Sequence, residues 1–162
     1  MIGCNPERQT MTIRQGTIHE MLSLWYKIHT TEFFTENLIS GNAEFWTIEH
    51  LGRLIGELYL FKYLPDHDFA DGSATAYLYG LFIEEGMRGK GLGTMLLNRV
   101  LQRLSELGFQ YATIGVEPHE QANVRLYERM GFTQNIKTTH INFCDVDEHH
   151  HPIQYPVYWL LR

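Results

Sequence analysis

A glycine-rich segment with two cationic side chains runs from Arg88 to Thr94 and reads RGKGLGT. Its three glycines, at positions 89, 91 and 93, remove Cβ atoms where a backbone must approach a ligand closely. The first N–H groups of a helix that begins here would lack intrahelical partners, and the helix dipole would favour negative charge beside them. This spacing therefore predicts a site for phosphate groups.

The stretches on either side place this segment between a strand and a helix. Residues 75–83 are rich in aromatic and β-type residues and follow a turn-prone Asp-Gly-Ser, which predicts a buried strand. Apolar residues at three- and four-residue steps predict an amphipathic helix over 92–107, and Gly108 stands where a left-handed cap is expected. The nucleotide-binding patterns GxxxxGK(S/T) and GxGxxG do not fit the glycine spacing.

The segment does match the pattern (Arg/Gln)-x-x-Gly-x-(Gly/Ala), with Arg88, Gly91 and Gly93 in its fixed positions. A second block, NVRLYERMGF at residues 123–132, is similar to a Leu-Tyr-x-x-x-Gly-Phe signature. With both blocks in this order, the chain resembles the GCN5-related N-acetyltransferases. The resemblance is close over residues 76–133. On either side of this range it consists only of the pattern of predicted strands and helices.

The resemblance and the predicted elements imply one N-acetyltransferase domain over residues 1–162, of the α/β (α+β) class. The expected fold is a mixed, mostly antiparallel sheet of six to seven strands with about four helices, in the order β-α-α-β-β-β-α-β-α-β-β. Thr17 and Glu20 form a Thr-x-x-Glu capping box that predicts the start of the first helix. The predicted strands are 11–15, 43–50, 54–63, 75–83, 111–116, 132–143 and 155–161, and a second short helix is predicted over 32–39.

The resemblance implies that acetyl-CoA is the cofactor and that it lies where the fourth and fifth strands separate. Its pyrophosphate is expected on the glycine segment and its pantetheine arm along the fourth strand. The expected cofactor-binding residues are Leu81, Phe82, Ile83, Arg88, Gly89, Lys90, Gly91, Leu92, Gly93, Thr94, Asn123 and Tyr127. In the family the tyrosine that matches Tyr127 protonates the departing thiolate, which makes Tyr127 the expected general acid; ring packing against the sheet is the alternative.

A proton acceptor is also required, because an ammonium must lose a proton before its nitrogen attacks a thioester. Where relatives carry Glu or His on the fourth strand, this chain has Tyr77 and Tyr79. Alternation along the third strand places Glu57 on one face with Ile55, Tyr59 and Phe61. We therefore predict Glu57 as the general base, directly or through water; a carboxylate that only faces solvent is the alternative. The residues predicted to line the acceptor pocket are Tyr77, Tyr79, Trp25 and Phe33.

These assignments predict transfer of an acetyl group from acetyl-CoA to a primary amine of a small molecule or peptide, by direct attack in a ternary complex. Two alternatives stay open. One is a non-catalytic acyl-CoA-binding sensor or interaction module, and the other is an acetyltransferase that acts on a protein. An intact tyrosine at position 127 favours the enzyme.

Charge and composition indicate which kinds of partner this protein is expected to bind. A formal net charge of −6 argues against nucleic acid, whose binding requires a basic face. No apolar run approaches the roughly 18 residues that span a membrane, so no membrane partner and a cytoplasmic location are expected. The run from Asp145 to His151 contains carboxylates and imidazoles but lies in a predicted loop, so no metal is expected. Analogy with the family leaves open a homodimer through the last strand.

Overall fold

The computed structural model describes residues 10–24, 28–116, 120–146, 149 and 152–161. Within these ranges the elements follow the predicted order, which is confirmed. They are β1 (Met11–Gln15), α1 (Ile18–Leu24), α2 (Ile28–Ile39), β2 (Ala43–His50), β3 (Arg53–Phe61), β4 (Thr75–Ile83), α3 (Leu92–Glu106), β5 (Tyr111–Val116), α4 (Gln121–Arg129), β6 (Gln134–Val146) and β7 (Pro152–Leu161). A short 3-10 turn at Glu85–Met87, which was not predicted, joins β4 to the glycine segment.

The described strands form one seven-stranded sheet in the order β1-β2-β3-β4-β5-β7-β6. Only the β4–β5 pair is parallel among these strands, and the other neighbours are antiparallel. A parallel pair needs a crossover connection, which α3 supplies. This mixed, mostly antiparallel α/β architecture is the predicted fold class. Among the described helices, none is long and apolar enough to cross a membrane.

Two hydrophobic clusters cover the two faces of the sheet. The aliphatic cluster lies under α3 and includes Leu58, Leu78 and Leu96. The aromatic cluster lies under α1 and α2 and includes Phe34 and Tyr59. Successive residues of a strand face opposite sides of a sheet, so the position of a β3 or β4 residue along its strand decides which cluster it joins.

The capping box at the start of α1 is confirmed. The Glu20 N–H donates to Thr17 Oγ1 at 3.1 Å, and the Thr17 N–H donates to Glu20 Oε1 at 3.0 Å. Arg14 on β1 donates to both Glu20 oxygens, at 2.9 and 2.7 Å. These hydrogen bonds stabilise the first turn of α1 and attach the helix to the edge strand.

The predicted alternation along β3 is wrong at the start of the strand. Ile48 of β2 opposes Gly56, whereas the next residue, Glu49, opposes Leu54, so Ile55 is an extra residue in β3. Such a bulge changes the phase of the strand. Ile55 therefore packs in the aliphatic cluster and Leu54 against the aromatic one.

Candidate functional site

A cleft opens where β4 and β5 stop pairing. Their parallel ladder ends at Leu78 opposite Ile114, and the described part of β5 beyond Ile114 pairs with β7. On its other side, β4 stays paired with β3 up to Ile83. Among the described residues, the β5-facing edge of β4 therefore has no strand partner beyond Leu78.

A bulge in β4 accounts for this separation. Tyr79 and Phe82 are three residues apart, but their partners on β3, Tyr59 and Glu57, are only two apart. The extra residue lies at Gly80, whose φ of 75° strongly favours glycine. Because a bulge bends and twists the strand that carries it, β4 turns away from β5 beyond this point.

The cleft has a volume of about 740 Å³ and joins the two sequence blocks that carry the family resemblance. One wall is the end of β4 with the 3-10 turn and the glycine segment, and the other is α4. Its lining residues are Leu81, Phe82, Ile83, Met87, Arg88, Gly89, Gly91, Leu92, Gly93, Thr94, Glu120, Gln121, Ala122, Asn123, Arg125, Leu126 and Arg129. The structure thus brings together all the predicted cofactor-binding residues that it describes except Lys90 and Tyr127.

Helix α3 begins at the cleft without a side-chain cap. Gly91 is its N-cap residue, with a left-handed φ of 78°, and it has no side chain that could accept from the first turn. The N–H groups of Leu92, Gly93 and Thr94 lack intrahelical acceptors by helix geometry, and the positive end of the helix dipole lies beside them. A Cβ at Gly93 would lie 3.5 Å from Leu126 Cδ2, so glycine keeps this part of the cleft open.

Arg88 is held at the mouth of the cleft. Its Nε donates to the Ile83 carbonyl at 2.8 Å, and its guanidinium carbon lies 5.2 Å from the centroid of the Phe82 ring. These contacts fix a positive charge at the end of β4. Lys90 is exposed on the same loop.

Helix α4 contributes charges that the sequence reasoning missed. Arg125 and Arg129 both line the cleft, and no described carboxylate forms an ion pair with either. They stand four residues apart and hence on one helix face, a spacing that could have indicated them. Asn123 also lines the cleft, where its Nδ2 lies 3.4 Å from Glu120 Oε1. Three arginines and one glutamate therefore surround the cavity of a chain whose net charge is negative.

Tyr127 is buried behind the α4 wall. Its side chain is 3% exposed and belongs to the aliphatic cluster. Its ring meets Phe132 edge to face, with centroids 6.2 Å apart. Burial, with a smaller contribution from the negative charge of Glu120, raises the pKa of Tyr127 above its ordinary value. The phenol is consequently protonated throughout the neutral range.

Glu57 lies beside the cleft on the aromatic face of the sheet. Its cross-strand partner Phe82 also lines the cleft, and residues opposite each other in adjacent strands share a face. The Tyr59 hydroxyl donates to Glu57 Oε2 at 3.2 Å. Burial raises the pKa of Glu57 to about 7, although the bond from Tyr59 acts in the opposite direction. No described residue forms a salt bridge with this carboxylate.

The residues predicted for the acceptor pocket lie in different environments. Tyr77 is 1% exposed inside the aromatic cluster, whereas Tyr79 and Phe33 are only partly buried against it. The Tyr79 ring stacks on Phe34 at 5.7 Å. Trp25 lies outside the described residues, so its predicted role stays a prediction.

Comparison with known proteins identifies the family. Residues 13–132 match the acetyltransferase (GNAT) family, and this chain belongs to that family. It is 32% identical over 103 residues to an uncharacterized N-acetyltransferase, YdgE, of Bacillus subtilis. It is 31% identical over 85 residues to the spermine/spermidine N(1)-acetyltransferase of the same organism. These matches cover 60% and 52% of this chain, and only 62% and 55% of the relatives' lengths.

Solved structures share the fold. An N-acetyltransferase from Staphylococcus aureus Mu50 superposes with a TM-score of 0.71 at 14% identity, over 94% of this chain and 97% of that one. A GNAT family acetyltransferase from Elizabethkingia anophelis with acetyl-CoA bound gives a TM-score of 0.67 at 17% identity, with the same coverage of both chains. At such identities the likeness concerns the fold alone.

Proposed function

We propose that this protein is an acetyl-CoA-dependent N-acetyltransferase that acts on a primary amine of a small molecule or peptide, with residues 1–162 as one catalytic domain. The observation that carries the proposal is the cleft between β4 and α4, where an uncapped helix N-terminus, an open strand edge and three arginines converge. Family membership supports the same activity.

The cleft fits the chemistry of coenzyme A. The diphosphate requires several N–H donors and positive charge, which the first turn of α3 and Arg88 offer. The amide-bearing arm requires hydrogen-bonding backbone, which Leu81 to Ile83 present at the open edge of β4. Arg125 and Arg129 add positive charge along the opposite wall, where a further phosphate would be attracted.

When bound, acetyl-CoA supplies a thioester as the acyl donor. Glu57 accepts the proton of the acceptor ammonium, directly or through water, and so generates the neutral amine that attacks the thioester carbonyl. A pKa of about 7 suits a base that works near neutral pH. The C–N bond forms, the C–S bond breaks, and the nitrogen loses its second proton to water as the amide forms. No acyl-enzyme is required.

Tyr127 supplies the proton to the departing sulfur. Because a thiol has a pKa of about 8.5 and burial raises that of the phenol, complete transfer before bond cleavage would be unfavourable. Donation must therefore accompany C–S cleavage, as negative charge develops on sulfur.

The surroundings of Glu57 indicate a cationic acceptor. Its half-buried carboxylate forms no salt bridge with the described residues, and burying an uncompensated carboxylate is costly. An acceptor ammonium would compensate it, with the rings of Tyr79 and Phe82 as an apolar wall. A relative that is named for spermine and spermidine acetylation supports an amine of this kind.

The burial of Tyr127 favours one second candidate, a module that binds acyl-CoA without turnover. With the ring 3% exposed and packed on Phe132, the cleft would lack a proton donor for the sulfur unless α4 shifts when the ligand binds. Phosphate and pantetheine contacts would remain the same in this case.

Thiol release from acetyl-CoA distinguishes the two candidates. Polyamines, aminoglycosides, amino acids and N-terminal peptides are offered to wild type and to Tyr127→Phe, with Tyr111→Phe, an exposed tyrosine on β5, as the matched control. An enzyme releases thiol only with an acceptor, and Tyr127→Phe lowers kcat while Tyr111→Phe does not. Saturable acetyl-CoA binding without release by any acceptor would instead support the binding module.

A further inference from the structure

Tyr59 makes the one side-chain hydrogen bond to Glu57 among the described residues. Its hydroxyl lies 3.2 Å from Glu57 Oε2. The two residues are two apart on β3, after the Ile55 bulge, and therefore face the same side of the sheet. The contact thus links the carboxylate beside the cleft to the aromatic cluster.

The Tyr59 ring is held more firmly than the carboxylate it contacts. It is 0% exposed, stacks on Phe45 at 5.1 Å with an interplanar angle of 18°, and lies 4.5 Å from the Phe34 ring centroid. Gly80, at the β4 bulge, closes over the same ring, since a Cβ built there would lie 3.4 Å from Tyr59 Cδ2. The hydroxyl consequently has little freedom to move away from Glu57.

The other polar and charged groups near Glu57 have other partners, so we expect Tyr59 to be the neighbour that affects the ionisation of this carboxyl. β2 opposes Glu57 with Thr47, whose hydroxyl donates to the Gly56 carbonyl instead, and β4 opposes it with Phe82. Of the charged residues on or next to these flanking strands, Glu44 is paired with Arg103, Glu49 with Arg14 and Glu84 with Arg53. Tyr77 and Tyr79 of β4 are further titratable groups on this face. Helix α2 covers Tyr79 with Phe34, and its Glu32 and Glu36 are exposed.

We propose that Tyr59 is a positioning residue for acetyl transfer: its hydroxyl orients the Glu57 carboxylate and stabilises the ionised form that accepts the acceptor's proton. This inference rests on the proposed function. A hydrogen bond donated to a carboxylate favours the ionised form. Removal of the hydroxyl, with the ring kept, therefore leaves the Glu57 carboxyl without its orienting contact and protonated over more of the neutral range.

The test compares Tyr59→Phe with Tyr63→Phe, which removes an exposed tyrosine hydroxyl whose partner is His67. Two midpoints are measured in each protein. One is the titration of the Glu57 carboxyl by 13C NMR, assigned with Glu57→Gln, and the other is the acidic limb of the pH profile of kcat/KM. The NMR midpoint needs no turnover, so it tests the contact even if the protein proves to be a binding module.

We expect Tyr59→Phe to move both midpoints to higher pH by about 0.5 to 1 unit, the size expected for one hydrogen bond to a carboxylate. Activity lost at pH 6.5 should return at pH 8.5, and Tyr63→Phe should change neither midpoint. An unchanged NMR midpoint would overturn the inference. A shifted NMR midpoint with an unshifted acidic limb would overturn the role in catalysis, while acetyl-CoA binding and turnover still stand.

A second variant tests the same inference if Tyr59→Phe does not fold. Incorporation of 3-fluorotyrosine at position 59 keeps the ring and the hydroxyl but makes the phenol a stronger donor. The Glu57 midpoint must then move to lower pH. A midpoint that stays in place, or moves to higher pH, contradicts the inference.

Discussion

Replacement of Glu57 by glutamine should change how the stability of the protein depends on pH. Burial raises the pKa of this carboxyl from about 4.5 to about 7 in the folded chain. Folding therefore favours the protonated form, and the stability that Glu57 contributes is present below about pH 4.5 and is lost as pH rises through about 7. Glu57→Gln removes this loss, because glutamine stays neutral.

The magnitude follows from the two pKa values. A rise from about 4.5 to about 7 corresponds to about 3.4 kcal/mol between the protonation states. Glu57 is only half-buried, so water screens part of this energy, and we expect about 2 kcal/mol. Glu57→Gln should accordingly be more stable than wild type by about that much at pH 8, and by much less at pH 5.

Urea unfolding at pH 5, 6, 7 and 8 measures this difference, since the other titrating groups are common to both proteins. Glu36→Gln serves as the matched control for the loss of one carboxylate, because Glu36 is exposed on α2. A difference between Glu57→Gln and wild type that is the same at every pH would refute the assigned burial of Glu57.

Three further substitutions test separate parts of the structure. Gly93→Ala should stabilise the protein by about 0.5 kcal/mol, because a Cβ there makes ordinary contacts in a helix, yet weaken acetyl-CoA binding about tenfold in calorimetry. Gly108→Ala, at a φ of 89°, should instead destabilise the protein and leave acetyl-CoA binding unchanged. Parallel effects of the two substitutions on stability and binding would contradict these assignments. Glu44→Ala should cost about 2 to 3 kcal/mol in urea unfolding, since it leaves the part-buried Arg103 with only a 3.7 Å contact to Glu106 and leaves the Trp46 N–H unpaired, whereas Glu106→Ala should cost below about 0.5; equal losses would contradict this. Leu51→Asn should raise the melting temperature through a gain of about 0.5 to 1 kcal/mol, because Leu51 is 76% exposed and has a φ of 51°, and a lower melting temperature would oppose that reasoning.

The parts of the fold that could be predicted depend on local patterns. The glycine segment, α3 and its Gly108 cap depend on apolar spacing and glycine placement within one stretch of chain, and the structure has them as predicted. The Thr17–Glu20 box likewise involves two residues of one helical turn. Such signals need no knowledge of a partner strand.

The parts that could not be predicted depend on neighbours distant in sequence. The bulges at Ile55 and Gly80 exist only relative to the opposite strand, so alternation alone put Ile55 on the wrong face. Burial of Tyr127 depends on Phe132 and the aliphatic cluster. Arg125 and Arg129 are four residues apart and therefore lie on one face of α4, but it is the packing of the helix that turns this face towards the cleft.

The most direct test of the proposed cleft is calorimetric titration of acetyl-CoA into wild type, Gly93→Ala and the double variant Arg125→Gln with Arg129→Gln. We predict one-to-one binding to wild type and weaker binding to Gly93→Ala. The double variant should lose affinity for acetyl-CoA more than for the dephospho form, which lacks one phosphate. Absence of saturable binding to wild type, or equal affinity in all three proteins, would contradict the assignment of the β4–α4 cleft as the acetyl-CoA site.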